Sequence, residues 1–346
     1  MKNPIQSVTG LRALACMLVV ICHAKFFTLP QPPAHLPGIP NASSELVRLA
    51  AALFFMMTGY LLTRSQWYEF GTLNAFAFLK KKFARILPVY YLFTLVAIIL
   101  WMAIPSVYGV TNLNPADNFL SLLFIPGIYI EHTHKLSPVL YTGWGLCLTV
   151  VFYIIFSIGL RLPRKSGLNF IFLTVVTLVA GGEMIKTNNH WFAFYTDPLL
   201  LYFLSGMLCF IFQPRLSRPW PHGHSSLLIT AALMLLAVTT ANEAVRLFAL
   251  TFAFYLLTFF SFNTHARSPV MGLITALSRA SFTVVLSHTL FMDALASLLP
   301  RFMSGSGQLT GWVMMGMLTV GSTGLGYFLY WLIEKKVRIK PGVKAG

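Results

Sequence analysis

Residues 8–27, VTGLRALACMLVVICHAKFF, form a mostly apolar run whose length suits a membrane-spanning helix, with Arg12 and His23 inside it. A charged side chain inside such a helix is costly, so it marks a candidate functional site. The two residues are 11 positions apart. At about 100° per residue this is roughly 20° beyond three full turns, so they share one helix face, roughly 16 Å apart along the axis.

Each of these two residues, taken alone, also has a structural explanation. Arg12 would anchor the helix end by extending its charge to the membrane surface. His23 would be a histidine whose ring nitrogens are satisfied inside a helix bundle. Their common face, together with further polar residues at other helix ends, favours the functional interpretation.

The composition excludes an ordinary soluble protein. Of the 346 residues 57% are hydrophobic and only 10% are charged, with a mean hydropathy of +0.73, whereas soluble domains carry about 25% charged residues. This indicates a polytopic membrane protein, and we read residues 1–346 as one domain without a cleavable signal peptide. The four cysteines lie in apolar segments without metal-ligand spacing, so we interpret them as packing residues and predict no metal.

We expect an all-α protein of ten membrane-spanning helices. The predicted spans are 8–27, 46–64, 86–104, 142–161, 168–185, 196–213, 225–242, 244–262, 280–299 and 309–333. With the N-terminus in the cytoplasm, 19 of the 25 basic residues fall on the inner side and six on the outer side. The positive-inside rule therefore places both termini in the cytoplasm, and it explains the net charge of +16 without nucleic acid.

Three connecting segments stand out. Residues 28–45 are proline-rich and are expected to be extended and irregular. Residues 105–141 form a long outer segment whose apolar part, 118–130, is too short to span, so it should dip into the interface or cover a cavity. Residues 73–85 combine Phe76, Leu79 and Phe83 at helical spacing with basic residues; this predicts an interfacial helix, and a purely topogenic basic cluster is the alternative.

Further polar residues occur at the ends of other spans. Lys82 and Arg85 form a K-x-x-R pattern at the inner end of the third span. The motif 141–146, YTGWGL, opens the fourth span with Trp144, and Tyr153 follows. In the ninth span Ser281 and His288 are seven positions apart, hence on nearly one face.

With these motifs the chain resembles the membrane-bound acyltransferase family 3, the bacterial O-acyltransferases of surface polysaccharides. The Arg12-to-His23 spacing resembles the first-helix motif of that family. Six more segments resemble its later motifs in the same order: LFFMMTGYLLTR (53–64), KKKFARILPVYY (80–91), TGWGLCLTVVFYIIF (142–156), LLYFLSGMLC (200–209), SFTVVLSHTLF (281–291) and IEKKVRIK (333–340). Chain length is most similar to the exopolysaccharide acetyltransferase branch.

The resemblance implies a membrane O-acetyltransferase that uses acetyl-CoA as the acyl donor and a sugar hydroxyl of a surface glycan or lipid-linked sugar as the acceptor. It implies that His23 is catalytic and that donor-binding falls to Arg12, Lys82 and Arg85. Acceptor-binding or supporting roles fall to Trp144, Tyr153, Ser281 and His288, and we expect hydroxyls such as those of Ser281 and Ser287 to satisfy the His288 ring. The implied location is the inner membrane of a bacterium, with membrane lipid as a neighbour and a homo-oligomer as one possible state.

The chain departs from the family at one position: the fourth-helix Glu aligns with Thr149. Three alternatives stay open, of which Thr149 suggests only the inactive family member. They are a transporter or flippase of a glycan or lipid, an inactive family member acting as a partner in an envelope complex, and an acyltransferase for another acyl group such as succinyl.

Overall fold

The computed structural model describes residues 6–28, 42–72, 74–104, 114–130, 135–185, 187–213, 223–240, 242–259, 269–298 and 308–335, most of which are helical. The helices are α1 (Gln6–Thr28), α2 (Ala42–Gln66), α3 (Ala75–Ala103), α4 (Pro115–Leu122), α5 (Trp144–Gly159), α6 (Arg164–Met184), α7 (His190–Tyr195), α8 (Leu200–Phe212), α9 (Gly223–Thr239), α10 (Glu243–Phe259), α11 (Pro269–Leu298) and α12 (Gln308–Leu329). A two-stranded antiparallel hairpin, β1 (Ile128–Ile130) and β2 (Lys135–Ser137), lies between α4 and α5.

Within the described residues, eight helical stretches are long and apolar enough to cross a membrane. They correspond to the first six and the last two predicted spans. The seventh and eighth predicted spans are α9 and α10, each of 17 residues. The all-α polytopic membrane fold is therefore confirmed, while the cytoplasmic position of both termini stays a prediction.

Helix α1 packs against α2, α10, α11 and α12. Several of its buried residues are small, among them Ala15, Cys16 and Ala24. Small side chains let helix backbones approach closely in a membrane, where dispersion contacts replace the hydrophobic effect as the source of association. The helix with Arg12 and His23 is thus held by neighbours on several sides.

Helices α2 and α8 pack with their backbones in close contact. A Cβ atom added at Gly59 would collide with the backbone carbonyl of Phe203, and one added at Gly206 would collide with that of Met56. The Phe55 ring stacks on the Phe203 ring beside this contact, with centroids 4.5 Å apart. The segment 200–209, which resembles a family motif, therefore has a packing reason for its glycine at Gly206.

The segment between α3 and α5 folds into part of a small cap, which we define as α4, the β1–β2 hairpin and α7. Tyr90 of α3 donates a hydrogen bond to the Ser121 carbonyl at 2.8 Å, and the Ser121 hydroxyl accepts one from the Val139 amide at 2.9 Å. The Trp191 indole donates to the Pro126 carbonyl at 2.7 Å. The apolar part, 118–130, thus contains most of α4 and all of strand β1. The sequence did not reveal that β1 pairs with β2 as a hairpin.

Phe124, between α4 and β1, has a φ of 60°, a left-handed conformation that is uncommon for a bulky residue. Its ring is buried and stacks on the Tyr90 ring at a centroid distance of 4.4 Å. The stacking fixes the cap to α3 at the point where the backbone is strained.

The prediction of a separate interfacial helix over residues 73–85 is wrong. Residues from Ala75 onward are the first turns of the 29-residue helix α3, which continues through Pro88. The Asn74 side chain caps this helix by accepting a hydrogen bond from the Phe76 amide at 2.9 Å. Lys82 and Arg85 consequently lie on the same rigid helix as Tyr90. The proline-rich residues 29–41 lie outside the described part of the chain.

Candidate active site

His23 is part-buried on α1, and its hydrogen bond to the backbone identifies which ring nitrogen carries the proton. Nδ1 lies 2.8 Å from the carbonyl oxygen of Val19, one turn earlier in the same helix. A carbonyl oxygen only accepts hydrogen bonds, so Nδ1 of His23 carries a proton and donates it to Val19. In the neutral ring this leaves Nε2 unprotonated, which is the form that a general base requires.

His288 of α11 is in direct contact with His23. Its side chain is fully buried, and its Nε2 lies 3.3 Å from Nδ1 of His23. The two ring centroids are 4.9 Å apart and the ring planes are inclined at 69°. The sequence placed both histidines in the site without predicting that they touch.

The expected hydrogen bonds from serine hydroxyls to His288 are not formed, which corrects that prediction. Nδ1 of His288 lies 2.9 Å from the Val285 carbonyl and 3.2 Å from the Val284 carbonyl. Ser281 instead donates to the Ser278 carbonyl at 3.0 Å. The Ser287 hydroxyl is buried and has no hydrogen-bond partner among the residues that the structure describes. Helix carbonyls one turn away replace the hydroxyls because a histidine side chain folds back along its own helix.

Tyr141, which the sequence marks only as part of the motif YTGWGL and without a role, also lies beside His23. It lies in the 3₁₀ turn Tyr141–Gly143 between the cap and α5, and it remains 37% exposed. Its ring meets the His23 ring edge-on, with centroids 6.3 Å apart. The neighbouring Thr142 hydroxyl donates to the Leu286 carbonyl of α11 at 3.3 Å, which ties the turn to the helix of His288. The motif YTGWGL drew attention to this position, but it did not predict the contact between the Tyr141 and His23 rings.

One basic residue lies at the ring of Tyr153, and two more lie within electrostatic range of its hydroxyl. The Lys82 ammonium lies 5.8 Å from the centroid of that ring and 5.3 Å from the Phe78 centroid, both within the range of cation–π attraction. The charges of Arg85 and Arg12 both act on the Tyr153 hydroxyl. The structure therefore brings the three predicted donor-binding residues together, and it places Tyr153 with them. We call Arg12, Lys82 and Arg85 the basic cluster.

The other two predicted residues, Trp144 and Ser281, take part in helix packing. Trp144 packs edge-on against Phe55, with centroids 6.3 Å apart. Ser281 contributes to the α1–α11 contact through its carbonyl, which lies 4.0 Å from the Cys16 sulfur.

Thr149, at the position of the family Glu, uses its hydroxyl within its own helix, where it donates to the Gly145 carbonyl at 2.7 Å. The buried carboxylate of Glu334, in the segment 333–340, accepts a hydrogen bond from the Thr283 hydroxyl of α11. It lies in the last described turn, Tyr330–Lys335. In the described part of the chain no group of three or more His, Cys, Asp or Glu side chains is placed to hold a metal.

Comparison with known proteins identifies the family to which this chain belongs. The exopolysaccharide production protein ExoZ of Rhizobium meliloti (strain 1021) is 26% identical to this chain over 158 residues, which are 45% of this chain and 48% of that protein. The alignment thus spans about half the length of that relative. No solved structure matches the chain. A family model described as an acyltransferase domain matches residues 5–331, nearly the whole chain, which therefore belongs to the acyltransferase 3 family.

Proposed function

We propose that this membrane acyltransferase moves an acetyl group from acetyl-CoA to a sugar hydroxyl of a surface polysaccharide or exopolysaccharide. The observation that carries the proposal is the hydrogen bond from Nδ1 of His23 to the Val19 carbonyl, which leaves Nε2 with its lone pair. The name of the Rhizobium relative supports an exopolysaccharide as the class of acceptor.

In the proposed reaction Nε2 of His23 removes the proton from the sugar hydroxyl. The hydroxyl oxygen attacks the thioester carbonyl carbon, and a new C–O bond forms. The C–S bond then breaks, and the CoA thiolate takes the proton from Nε2 of His23, which restores the neutral ring. An acetyl-histidine intermediate is the alternative route, in which Nε2 itself attacks the thioester before the sugar does.

The basic cluster supports an anionic donor. Phosphate groups of CoA pair well with guanidinium and ammonium groups, and two of the three cations here are arginines. Arg12 and His23 are separated by roughly 16 Å along α1, so a flexible thioester arm would follow that helix face from the cluster to the histidine. This geometry suits a donor from the cytoplasm and an acceptor that enters from the opposite side, near Tyr141.

Acetyl ester content of the host polysaccharide, measured by NMR, tests the proposal. We compare a strain that carries the wild-type protein with strains that carry His23→Ala or Ile21→Ala. Ile21 lies on the same helix two residues away and is 39% exposed, so it is a matched control for expression and insertion.

We expect normal acetylation with Ile21→Ala and none with His23→Ala, because removal of a general base costs about 10² to 10⁴ in rate. Protein levels in the membrane fraction must be equal. Full acetylation with His23→Ala would overturn the mechanism. If the polysaccharide carries succinyl esters instead of acetyl esters, the proposed mechanism still holds but the acyl donor is a different one.

A further inference from the structure

His288 has no part in the proposed proton transfer, yet it is the buried histidine that touches the proposed base. Its Nδ1 faces two carbonyl oxygens, at 2.9 Å and 3.2 Å. Both only accept hydrogen bonds, so Nδ1 of His288 carries the proton. In the neutral ring Nε2 of His288 therefore has a free lone pair, and this nitrogen faces Nδ1 of His23 at 3.3 Å.

We propose that His288 is a positioning residue that holds His23 in its reactive tautomer and orientation. The inference rests on the proposed function. The Nδ1–H group of His23 is shared between the Val19 carbonyl, on its own helix, and the lone pair of His288, on a neighbouring helix. Two acceptors on different helices fix the ring about both of its side-chain bonds. The ring is thereby kept with Nε2 directed to the substrates, and its positive charge is stabilised when it takes the proton.

The packing behind His288 supports this role. Cys16 and Ser281 pair along the same two helices, seven residues before His23 and His288 respectively, so α1 and α11 run side by side over this stretch. Gly326 of α12 brings its backbone against α11 beside His288. A Cβ atom there would lie 2.9 Å from the Cα of Val284 and 3.1 Å from the Ser287 hydroxyl. The helix that carries His288 is thus packed against both α1 and α12, which limits its movement.

A positioning role and a simple packing role predict opposite orders for two substitutions. In His288→Gln the side-chain amide reaches nearly as far as Nε2 and keeps an acceptor for the Nδ1–H group of His23. In His288→Leu the site is filled by an apolar side chain without an acceptor. If His288 only fills space among buried residues, leucine should be tolerated at least as well as glutamine.

We would measure kcat and the KM for acetyl-CoA with purified protein in lipid nanodiscs, using radiolabelled acetyl-CoA and the alkali-deacetylated polysaccharide of the host as acceptor. We expect His288→Leu to lower kcat by about 10- to 100-fold, the range for loss of a hydrogen bond to a group that becomes charged. His288→Gln should lose clearly less, and the KM for acetyl-CoA should stay unchanged in both. His288→Met is a second apolar variant if leucine prevents folding.

Equal activity of the glutamine and apolar variants, with His23→Ala inactive, would overturn the positioning role and leave the proposed function intact. Substantial activity of His23→Ala would overturn the proposed function itself. A rise in the KM for acetyl-CoA with unchanged kcat would assign His288 to the donor site instead and would also contradict the proposal.

Discussion

At the scale of single residues, the chemistry of this site depends on where protons are held. His23 and His288 each direct Nδ1 at a helix carbonyl, so both present Nε2 as a lone pair. The lone pair of His288 faces His23. In the proposed reaction the lone pair of His23 takes the substrate proton, and His288 performs the orienting task that a third group performs in other acyl-transfer sites.

Arg12 is the residue of the basic cluster that shares a helix with His23, and we predict that it binds the donor. Arg12→Ala should weaken acetyl-CoA binding by about 10- to 100-fold, because a charge-assisted hydrogen bond to an anion is lost. Arg85→Ala should have a smaller effect. Calorimetric titration of the purified protein with acetyl-CoA measures the dissociation constant.

Arg161→Ala is the matched control for Arg12→Ala, since Arg161 is an exposed cation just beyond the end of α5 that is also predicted to lie on the inner side. Its acetyl-CoA affinity should equal that of the wild type. An unchanged affinity in Arg12→Ala would remove Arg12 from the donor site and favour the membrane-anchor interpretation.

Thr149 stands where the family pattern has Glu, and its side chain has a hydrogen-bond partner in this structure. The threonine hydroxyl is bonded to its own helix, and a buried carboxylate is present elsewhere, at Glu334, bonded to the helix of His288. Glu334 itself lies in the segment 333–340, which resembles the last motif of the family, so it does not replace the missing fourth-helix Glu.

At the scale of helices, glycines on α2 and α8 let the two backbones come into direct contact. We predict that Gly206→Ala lowers the thermal unfolding temperature, because the added methyl group would meet the Met56 carbonyl and force the helices apart. Overpacking of this kind costs about 1–3 kcal/mol. Thermal unfolding in detergent micelles, followed by tryptophan fluorescence, measures the change.

The control is the same substitution at Gly181 of α6, where an added Cβ atom has nothing within 4 Å. Gly181→Ala should unfold at the same temperature as the wild type or higher, since alanine is the better helix former by about 1 kcal/mol. The prediction fails if the two alanine variants unfold at the same temperature.

At the scale of the whole molecule, the distribution of basic residues predicts which side of the membrane each end of the bundle faces. Reporter fusions at Lys135, in the hairpin of the cap, and at Lys165, in the first turn of α6, should report opposite sides. A periplasmic alkaline phosphatase reporter should be active at Lys135 and inactive at Lys165, and a fluorescent protein reporter should give the reverse pattern. Equal signals of one reporter at both positions would contradict the predicted topology.

Much of this molecule was determined by its sequence alone. The apolar runs defined the spanning helices because a helix in lipid must satisfy its own backbone and face apolar surroundings over about 20 residues. The period of the helix placed Arg12 and His23 on one face, and ordered motifs indicated the acyltransferase 3 family that the family model confirms. The union of the basic segment 73–85 with the predicted span 86–104 in one helix was missed because the span was counted over its apolar residues only.

Only the tertiary structure decided how the helices meet. The 3.3 Å approach of His288 to His23, the edge-on contact of Tyr141 and the gathering of Lys82 and Arg85 around Tyr153 each join residues that lie far apart in sequence or on different helices. Helical periodicity specifies the face of a residue but not the register between two helices. That register is set by close backbone packing, here at Gly326 behind α11, and a single sequence does not encode it as a local pattern.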